Sequence, residues 1–427
     1  MKKIYILLVI NLLSINLIIA QDTLTVLQYN LLYYGLYNDY CTNDNNGLSG
    51  KTEYLKTIIN DNQPDIFTVN EIADDDAIHS YLLNNVFTLN ENIKSTYLRG
   101  STQGDHLTSQ IYYNSSKLTL LKEYFIYGYP RKVHTYKFYY NSPDLLEGDT
   151  AYFYCFVAHL KAGSEPSDAE DRATSTENVM EYIGRLGEGN YLFMGDLNLY
   201  TDEEIAYQNL VNPDNNNLKF NDPVNAEGEW HNNEYYANYH TQSAFYTGSC
   251  GAGGGMDDRF DFILISDNIK NNSDKIEYIN NSYTTIGQDG EHFNSGINYQ
   301  GNSSVSADML DAISYNSDHL PVMLKLEINQ TPISVKEIVQ NKIDIIINNP
   351  VQEKLNLQIF LNDLLLEQYL NVEIYSIMGN LKYQSNLNID NNKINYQIPT
   401  YNLNQGLYIL KISTENSVYY SKKFIKI

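Results

Sequence analysis

Eight polar residues stand where apolar runs of this chain end or begin: Asn30, Glu71, His159, Asp196, Asn198, Asp261, Asp318 and His319. A single buried Asp or His is most often a satisfied structural group. Together these residues share one chemistry. Carboxylates and carboxamides without a Cys cluster suit a hard divalent cation, since Mg²⁺ is usually held by one or two carboxylates, water and a ligand phosphate. Two histidines beside acids add groups that can move protons near neutral pH. The set points to metal-assisted hydrolysis of a phosphate ester.

Rigid strands must position these groups. Asn190 to Asn198 reads as a buried strand whose apolar run stops at Gly195, and alternate-face spacing points Asp196 and Asn198 the same way as Leu192 and Met194. Thr23–Asn30, Asp65–Ile72, Tyr152–Leu160, Arg259–Ser266 and Met323–Ile328 are further strands, each carrying or adjoining one of the polar residues. Leu55, Ile58 and Ile59 give a helix over Lys51–Asn62 that stops before Pro64. Asp74, Asp75 and Asp76 read as helix N-terminal acids. Ser167–Glu170 and Thr201–Glu204 read as capping boxes, the first opening a helix through Val179, Met180, Ile183 and Leu186. Arg131, Lys132 and Lys137 form a small basic cluster with tyrosines, a candidate phosphate contact but more often a solvated loop. Val211–Gly255 and the stretch from Ser266 to Asn316 read largely as polar loops, with His231 and His240 structural.

A chain of 427 residues, 43% hydrophobic and 13% aromatic, is long enough for two or more packed domains. Residues 1–20 open with Lys2 and Lys3 and continue as a short apolar run ending at Ala20, the pattern of a secretory signal. No other run approaches membrane-spanning length. The division expected is a signal peptide at 1–20, a catalytic body at 21–328, a linker at 329–341 containing Thr331-Pro332, and a β-sandwich at 342–427. Charge follows this division: 17 Lys plus Arg face 44 Asp plus Glu in Gln21–Ile328, against 9 and 8 in Asn329–Ile427. Such an acidic body repels polyanions at long range, so a phosphate substrate must be engaged by local cations. Cys155 lies in a strand and reads as core. Cys41 and Cys250 lie in loops, where a disulfide and two free thiols are equally compatible with the sequence.

Asn30, the Asp65–Glu71 strand, Ala158-His159-Leu160, Gly195-Asp196-Leu197-Asn198, Arg259-Phe260-Asp261-Phe262 and Ser317-Asp318-His319-Leu320-Pro321 resemble, in order, the motifs of the endonuclease/exonuclease/phosphatase superfamily. That superfamily includes pancreatic-type deoxyribonucleases, apurinic-site endonucleases, bacterial sphingomyelinases and inositol phosphatases. The resemblance covers about residues 24–328 and implies an α/β fold, a four-layer α/β sandwich of two packed mixed sheets flanked by helices. It implies Glu71 as the main metal ligand, assisted by Asn30 and Asp318, with Mg²⁺ as cofactor and Mn²⁺ or Ca²⁺ as alternatives. Asp196 then positions and deprotonates the attacking water, and Asn198 orients the water or the phosphate. His319, oriented by Asp261, stabilises the phosphorane or transfers a proton, and His159 is a candidate acid for the leaving oxygen. Lys161 and Arg172 are weaker candidates for phosphate contact. Asn70 stands where the family usually has Gln.

The tail resembles the C-terminal sorting domain of type IX secretion, through Asn349-Pro350-Val351, Ile374–Gly379, Gly406–Lys411 and the basic final strand. Short strands at regular spacing with turn signals indicate a small all-β sandwich; the resemblance implies recognition by the type IX machinery, with the protein released outside the cell or held at the outer-membrane surface, and a monomer is expected. The activity expected is a secreted metal-dependent phosphodiesterase with nucleic acid as substrate. A lipid or small-molecule phosphoesterase and a noncatalytic surface binding protein are the competing readings.

Overall fold

In the computed structural model, residues 21–96, 106–142, 145, 150–245, 250–329, 343–361, 369–376, 380–389, 393–413 and 418–427 are described. The expected signal peptide and nearly all of the expected linker lie outside them. The elements of the body are β1 (Gln21–Tyr34), α1 (Leu48–Asn62), β2 (Ile66–Ala73), α2 (Asp76–Val86), β3 (Ile93–Thr96), β4 (Leu107–Asn114), β5 (Leu118–Ile126), β6 (Val133–Tyr140), β7 (Tyr152–His159), α3 (Pro166–Leu186), β8 (Tyr191–Asp196), α4 (Ile205–Val211), β9 (Phe220–Asn221), β10 (Asp261–Ser266), α5 (Asp267–Lys270), β11 (Ile276–Tyr278), β12 (Thr284–Thr285), α6 (Ala307–Asn316) and β13 (Val322–Asn329).

They form two mixed sheets. One runs β11-β13-β1-β2-β4-β3, with β12 also on β13; the other runs β5-β6-β7-β8-β10-β9. The β1–β2 and β7–β8 pairs are parallel, and their neighbours are antiparallel. Side chains facing inward from both sheets, among them Leu24, Val26, Ile66, Cys155, Val157, Leu192, Met194, Ile263 and Leu324, make the central core. The outer face of the first sheet, with Leu27, Tyr29, Phe67 and Val69, packs on Leu55 and Ile58 of α1, Leu82 of α2 and Ile313 of α6. The outer face of the second, with Phe156, Phe193 and Phe262, packs on Val179 and Ile183 of α3 and Tyr207 and Leu210 of α4. Helix, sheet, sheet, helix is the expected four-layer order.

Several local expectations change. The box that opens α3 is Glu165 with Asp168, two residues earlier than Ser167–Glu170, because Pro166 supplies the preorganised first residue. Thr201–Glu204 makes no capping box: α4 starts at Ile205, and the Glu204 carboxylate is taken by Arg172 and the Tyr200 N–H. The polar stretch before Asn316 contains α6, whose buried positions Met309, Ala312 and Ile313 carry the helical spacing. Asp75 caps α2, as expected, by accepting from Ala77 N.

The tail contributes β14 (Ile343–Ile347), β15 (Lys354–Leu361), β16 (Tyr369–Ser376), β17 (Leu381–Asn388), β18 (Lys393–Pro399), β19 (Gly406–Ser413) and β20 (Val418–Lys426). Two antiparallel sheets, β14-β15-β18 and β17-β16-β19-β20, share a core that includes Leu355, Leu357, Val372, Ile374, Leu410 and Phe424. This is the expected small β-sandwich.

Candidate active site

The inward faces of the central strands turn from apolar to polar at one end. Along β1 the inward series Leu24, Val26, Gln28, Asn30 ends in two carboxamides; β7 runs Cys155, Val157, His159; β8 runs Leu192, Met194, Asp196. Strand β10 is antiparallel to β8 and begins with the acid, so Asp261 lies opposite Asp196, and His159 lies beside Asp196 on the other flank. Gly195 is required between them: a Cβ there would sit 1.8 Å from Ala158 O. Alternation alone would turn Glu71 away from this interior, because Asn70 faces inward. The backbone corrects this with a left-handed residue: Glu71 has φ +57° within a bulge of β2. Leu32 and Tyr33, at φ +46° and +52°, kink β1 beside it and bring Tyr33 N to 3.3 Å from Glu71 Oε2. Non-glycine residues pay for such conformations, which concentrate at functional sites.

The side chains converge. Asn30 Nδ2 donates to Glu71 Oε1 at 3.1 Å and to Asp196 Oδ2 at 2.9 Å. His159 Nε2 lies 3.8 Å from Glu71 Oε1 and 3.5 Å from Asp196 Oδ2. Donor atoms of Glu71, His159 and Asp196 all fall within 4.8 Å of one another. His319 Nδ1 is 2.7 Å from Asp261 Oδ2, and its Nε2 is 3.7 Å from Asp196 Oδ2. Asp318 Oδ2 accepts from Ala252 N at 2.8 Å and Gln242 Nε2 at 3.1 Å. Asn198 lies beyond the end of β8, at φ +50°, where its Nδ2 reaches Leu160 O at 3.4 Å and its N–H donates to Asp196 Oδ1 at 3.2 Å. Its position therefore comes from a turn rather than from strand alternation.

Burial drives the electrostatics. It raises the pKa of Glu71, with Asp318 repelling further charge while the Asn30 amide, His319 and Arg131 oppose the shift. It also raises Asp196; His319 and Asn30 pull against it, and Asp261 and Glu71 add to it. His159 is pushed well below the ordinary imidazole value by burial, Arg131 and His319, so its ring is neutral. For His319 burial opposes charge, but Asp261, Asp196 and Asp318 outweigh it and hold the pKa well above the usual value. The Gln242 amide nitrogen lies 2.7 Å from His319 Nε2 and 3.1 Å from Asp318 Oδ2, bridging the ring and that carboxylate.

Sequence reasoning missed several participants. Lys51, 2% exposed, donates to Leu32 O at 3.1 Å and to Asn316 O beneath the acids. Burial lowers its pKa to about 7 against the pull of Asp318 and Glu71. Its signal was spacing: it precedes Leu55, Ile58 and Ile59 on the buried stripe of α1. Gln242 and Ala252 carried no signal. Asn70 Oδ1 accepts from Asp196 N at 3.0 Å and Gln28 Nε2 at 2.6 Å, while its Nδ2 donates to Ser109 Oγ and Ala158 O, so it ties the two sheets together. Arg172, 1% exposed, is engaged by Glu204 and by the carbonyls of Lys161 and Gly163, and Lys161 pairs with Asp168. Those two cations are structural. In the basic cluster, Lys132 sits over Phe125 and Lys137 over Tyr152 and Tyr154, whereas the charge of Arg131 reaches Glu71 and His159. Cys41 and Cys250 form a disulfide beside the Asp318 loop, and Cys155 is a buried free thiol. His240 is buried against Trp230 O, and exposed His231 bonds Asp258.

Comparison with known proteins is clearest at the C-terminus. Residues 346–427 match the secretion system C-terminal sorting domain. The tail therefore carries an export address, and among the described residues no helix is long and apolar enough to cross a membrane. No curated protein matches the chain. Among solved structures, the chain is similar to D. rerio TDP2 complexed with single-strand DNA product (14% identity, TM-score 0.47, covering 71% of this chain and 99% of that one). It is also similar to an endonuclease/exonuclease/phosphatase family protein from Bacteroides thetaiotaomicron (14%, 0.46, 73% and 96%). A third is the human Nocturnin catalytic domain with bound sulfate (13%, 0.44, 72% and 97%).

Proposed function

We propose that this protein is a secreted, metal-dependent phosphodiesterase acting on nucleic acid. The observation that carries the reading is the meeting of Glu71, His159 and Asp196 donors within 4.8 Å, next to the Asp261–His319 pair. These residues fit a divalent cation. Glu71, Asp196, Asp261 and Asp318 are clustered and largely buried, the nearby Lys51 is held by two backbone carbonyls, and burial with mutual repulsion disfavours charge on Glu71. Glu71, with Asp318 and Asn30 arranging the acids around it, would hold Mg²⁺; the imidazole among the gathered donors keeps Mn²⁺ as an alternative. When bound, the cation supplies charge neutralisation at a phosphoryl oxygen.

The chain's own groups divide the remaining work. Asp196, its pKa raised toward neutrality, accepts the proton of the attacking water, with Asn30 fixing its carboxylate and Asn198 orienting the water or the phosphate. His319, held charged by Asp261, places a donor where negative charge grows on the phosphorane. The surroundings of His159 suit a neutral metal ligand or hydrogen-bond partner better than an acid for the leaving oxygen. The charge of Arg131 favours ionised Glu71 and neutral His159.

The test is a substrate panel of plasmid DNA, RNA and bis(p-nitrophenyl) phosphate, each with and without EDTA. Cleavage abolished by EDTA is expected; no metal-dependent cleavage of any substrate sinks the proposal. The strongly acidic body, 17 basic against 44 acidic residues from Gln21 to Ile328, favours the second reading of a lipid or small-molecule phosphoesterase. Release of phosphocholine or inorganic phosphate with nucleic acid untouched selects that reading.

A further inference from the structure

A second group of metal-ligating side chains stands at the surface, apart from Glu71 and its neighbours. Donor atoms of His231, Asp257 and Asp258 all lie within 4.8 Å of one another. His231 Nδ1 is 2.6 Å from Asp258 Oδ1, and the His231 side chain is 49% exposed, so the group is open to solvent. Backbone contacts hold the three residues together. Asp257 N and Asp258 N both donate to Gln242 O, at 2.9 and 3.0 Å, and Asn232 N donates to Asp257 O at 2.8 Å, which pins the chain after His231 to the acids. The Tyr200 ring stands edge-on to the imidazole, 5.3 Å between centroids.

The charges in this group do not balance, because two carboxylates share one imidazole. Arg259, the next residue, is spent on both oxygens of Asp222, at 2.7 and 2.9 Å. His231 satisfies one oxygen of Asp258, whereas the half-buried Asp257 carboxylate accepts no hydrogen bond among the described residues. Burial raises the pKa of both acids, that of Asp257 to about 6 with the charge of Asp258 adding to the shift, and His231 opposes it in each. A cation between the carboxylates removes their repulsion and gives Asp257 a partner. The donor set selects which cation. Mg²⁺ and Ca²⁺ take oxygen ligands. One imidazole with two carboxylates suits Zn²⁺, which binds His nitrogen and Asp oxygen at about 2.0–2.2 Å and in three-ligand sites leaves the fourth position to water. His231 and Asp258 already meet through a shared proton that the metal replaces, and rotation of the unbonded Asp257 carboxylate closes the third side.

We infer that His231, Asp257 and Asp258 form a Zn²⁺ site distinct from the one at Glu71, an inference that does not depend on the nuclease reading. Zn²⁺ binding to the metal-stripped full chain is measured by equilibrium dialysis for wild type, His231→Gln and Asp257→Asn. The same two substitutions are also placed on Glu71→Gln, so that zinc held at Glu71 is not mistaken for zinc held here. Glu71→Gln should keep one Zn²⁺ site that either added substitution weakens about tenfold or more, since losing even a contact that supports a ligand costs about 10- to 100-fold. Melting temperatures check folding, and His231→Gln alters an exposed ring, so the test stands if Asp257→Asn fails to fold. Zn²⁺ stoichiometry and affinity unchanged by the substitutions overturn the site, whatever the hydrolysis assays show. Zinc lost with His231 or Asp257 from a protein that cleaves no phosphodiester supports the site and overturns the catalytic reading instead.

Discussion

Asp261→Asn isolates the role of the second acid. Asp261 is fully buried, its Oδ2 faces His319 Nδ1 at 2.7 Å, and its Oδ1 makes no hydrogen bond among the described residues. The substitution keeps the shape and removes the charge. A charge-assisted hydrogen bond of this kind is worth about 1.5–3 kcal/mol, which converts to a fall in kcat of roughly 10- to 150-fold. Burial already opposes charge on His319; with Asp261 neutral, Asp196 and Asp318 alone must hold the proton, so the histidine pKa falls. Less imidazolium survives at alkaline pH, and the descending limb of the kcat profile moves to lower pH. The assay is bis(p-nitrophenyl) phosphate hydrolysis at saturating metal across pH 5–10, with the melting temperature as a folding control. A folded variant with wild-type kcat and an unmoved limb refutes the assignment of His319 as the charged group.

Asn70→Leu should cost about 4 kcal/mol in urea denaturation, roughly 1 kcal/mol for each of the hydrogen bonds to Asp196 N, Gln28, Ser109 and Ala158. Acid should weaken the fold through His79, which burial holds neutral by lowering its pKa to about 4. Since the unfolded ring titrates near 6.5, stability is intact above that pH and declines by about 3 kcal/mol as pH falls to about 4, and His79→Phe should flatten this slope in urea titrations. Removing the Cys41–Cys250 disulfide, which closes a sequence separation of 209, should destabilise the body by up to about 5 kcal/mol on chain entropy. The double Ser variant should also bind Mn²⁺ more weakly by calorimetry, because Ala252 N–H would no longer be held on Asp318.

Strand alternation made most of the site legible. Leu192, Met194 and Asp196 share a face in sequence and in space, and the same holds for Cys155, Val157 and His159. Glu71 was recognisable as an acid ending an apolar run, but its direction depends on a left-handed residue that no period predicts. The Asp261–His319 contact joins residues 58 apart and could be expected only through resemblance. Lys51 was written into the buried stripe of α1, yet a lysine in such a position reads as surface until the acids above it are known. The contacts of Gln242 and Ala252 are tertiary: they matter because loops from distant parts of the chain meet around Asp318. Helix α6 was obscured by the polar residues before it, although Met309, Ala312 and Ile313 already held its spacing.

Titrating Mg²⁺ into metal-stripped wild type and Glu71→Gln while following bis(p-nitrophenyl) phosphate hydrolysis tests the central claim most directly. The account predicts saturable activation of the wild type, reversed by EDTA, and a loss of about 100-fold or more in Glu71→Gln, whose neutral amide cannot serve as the main ligand. Hydrolysis that persists in EDTA, or a Glu71→Gln variant activated like the wild type, would contradict it.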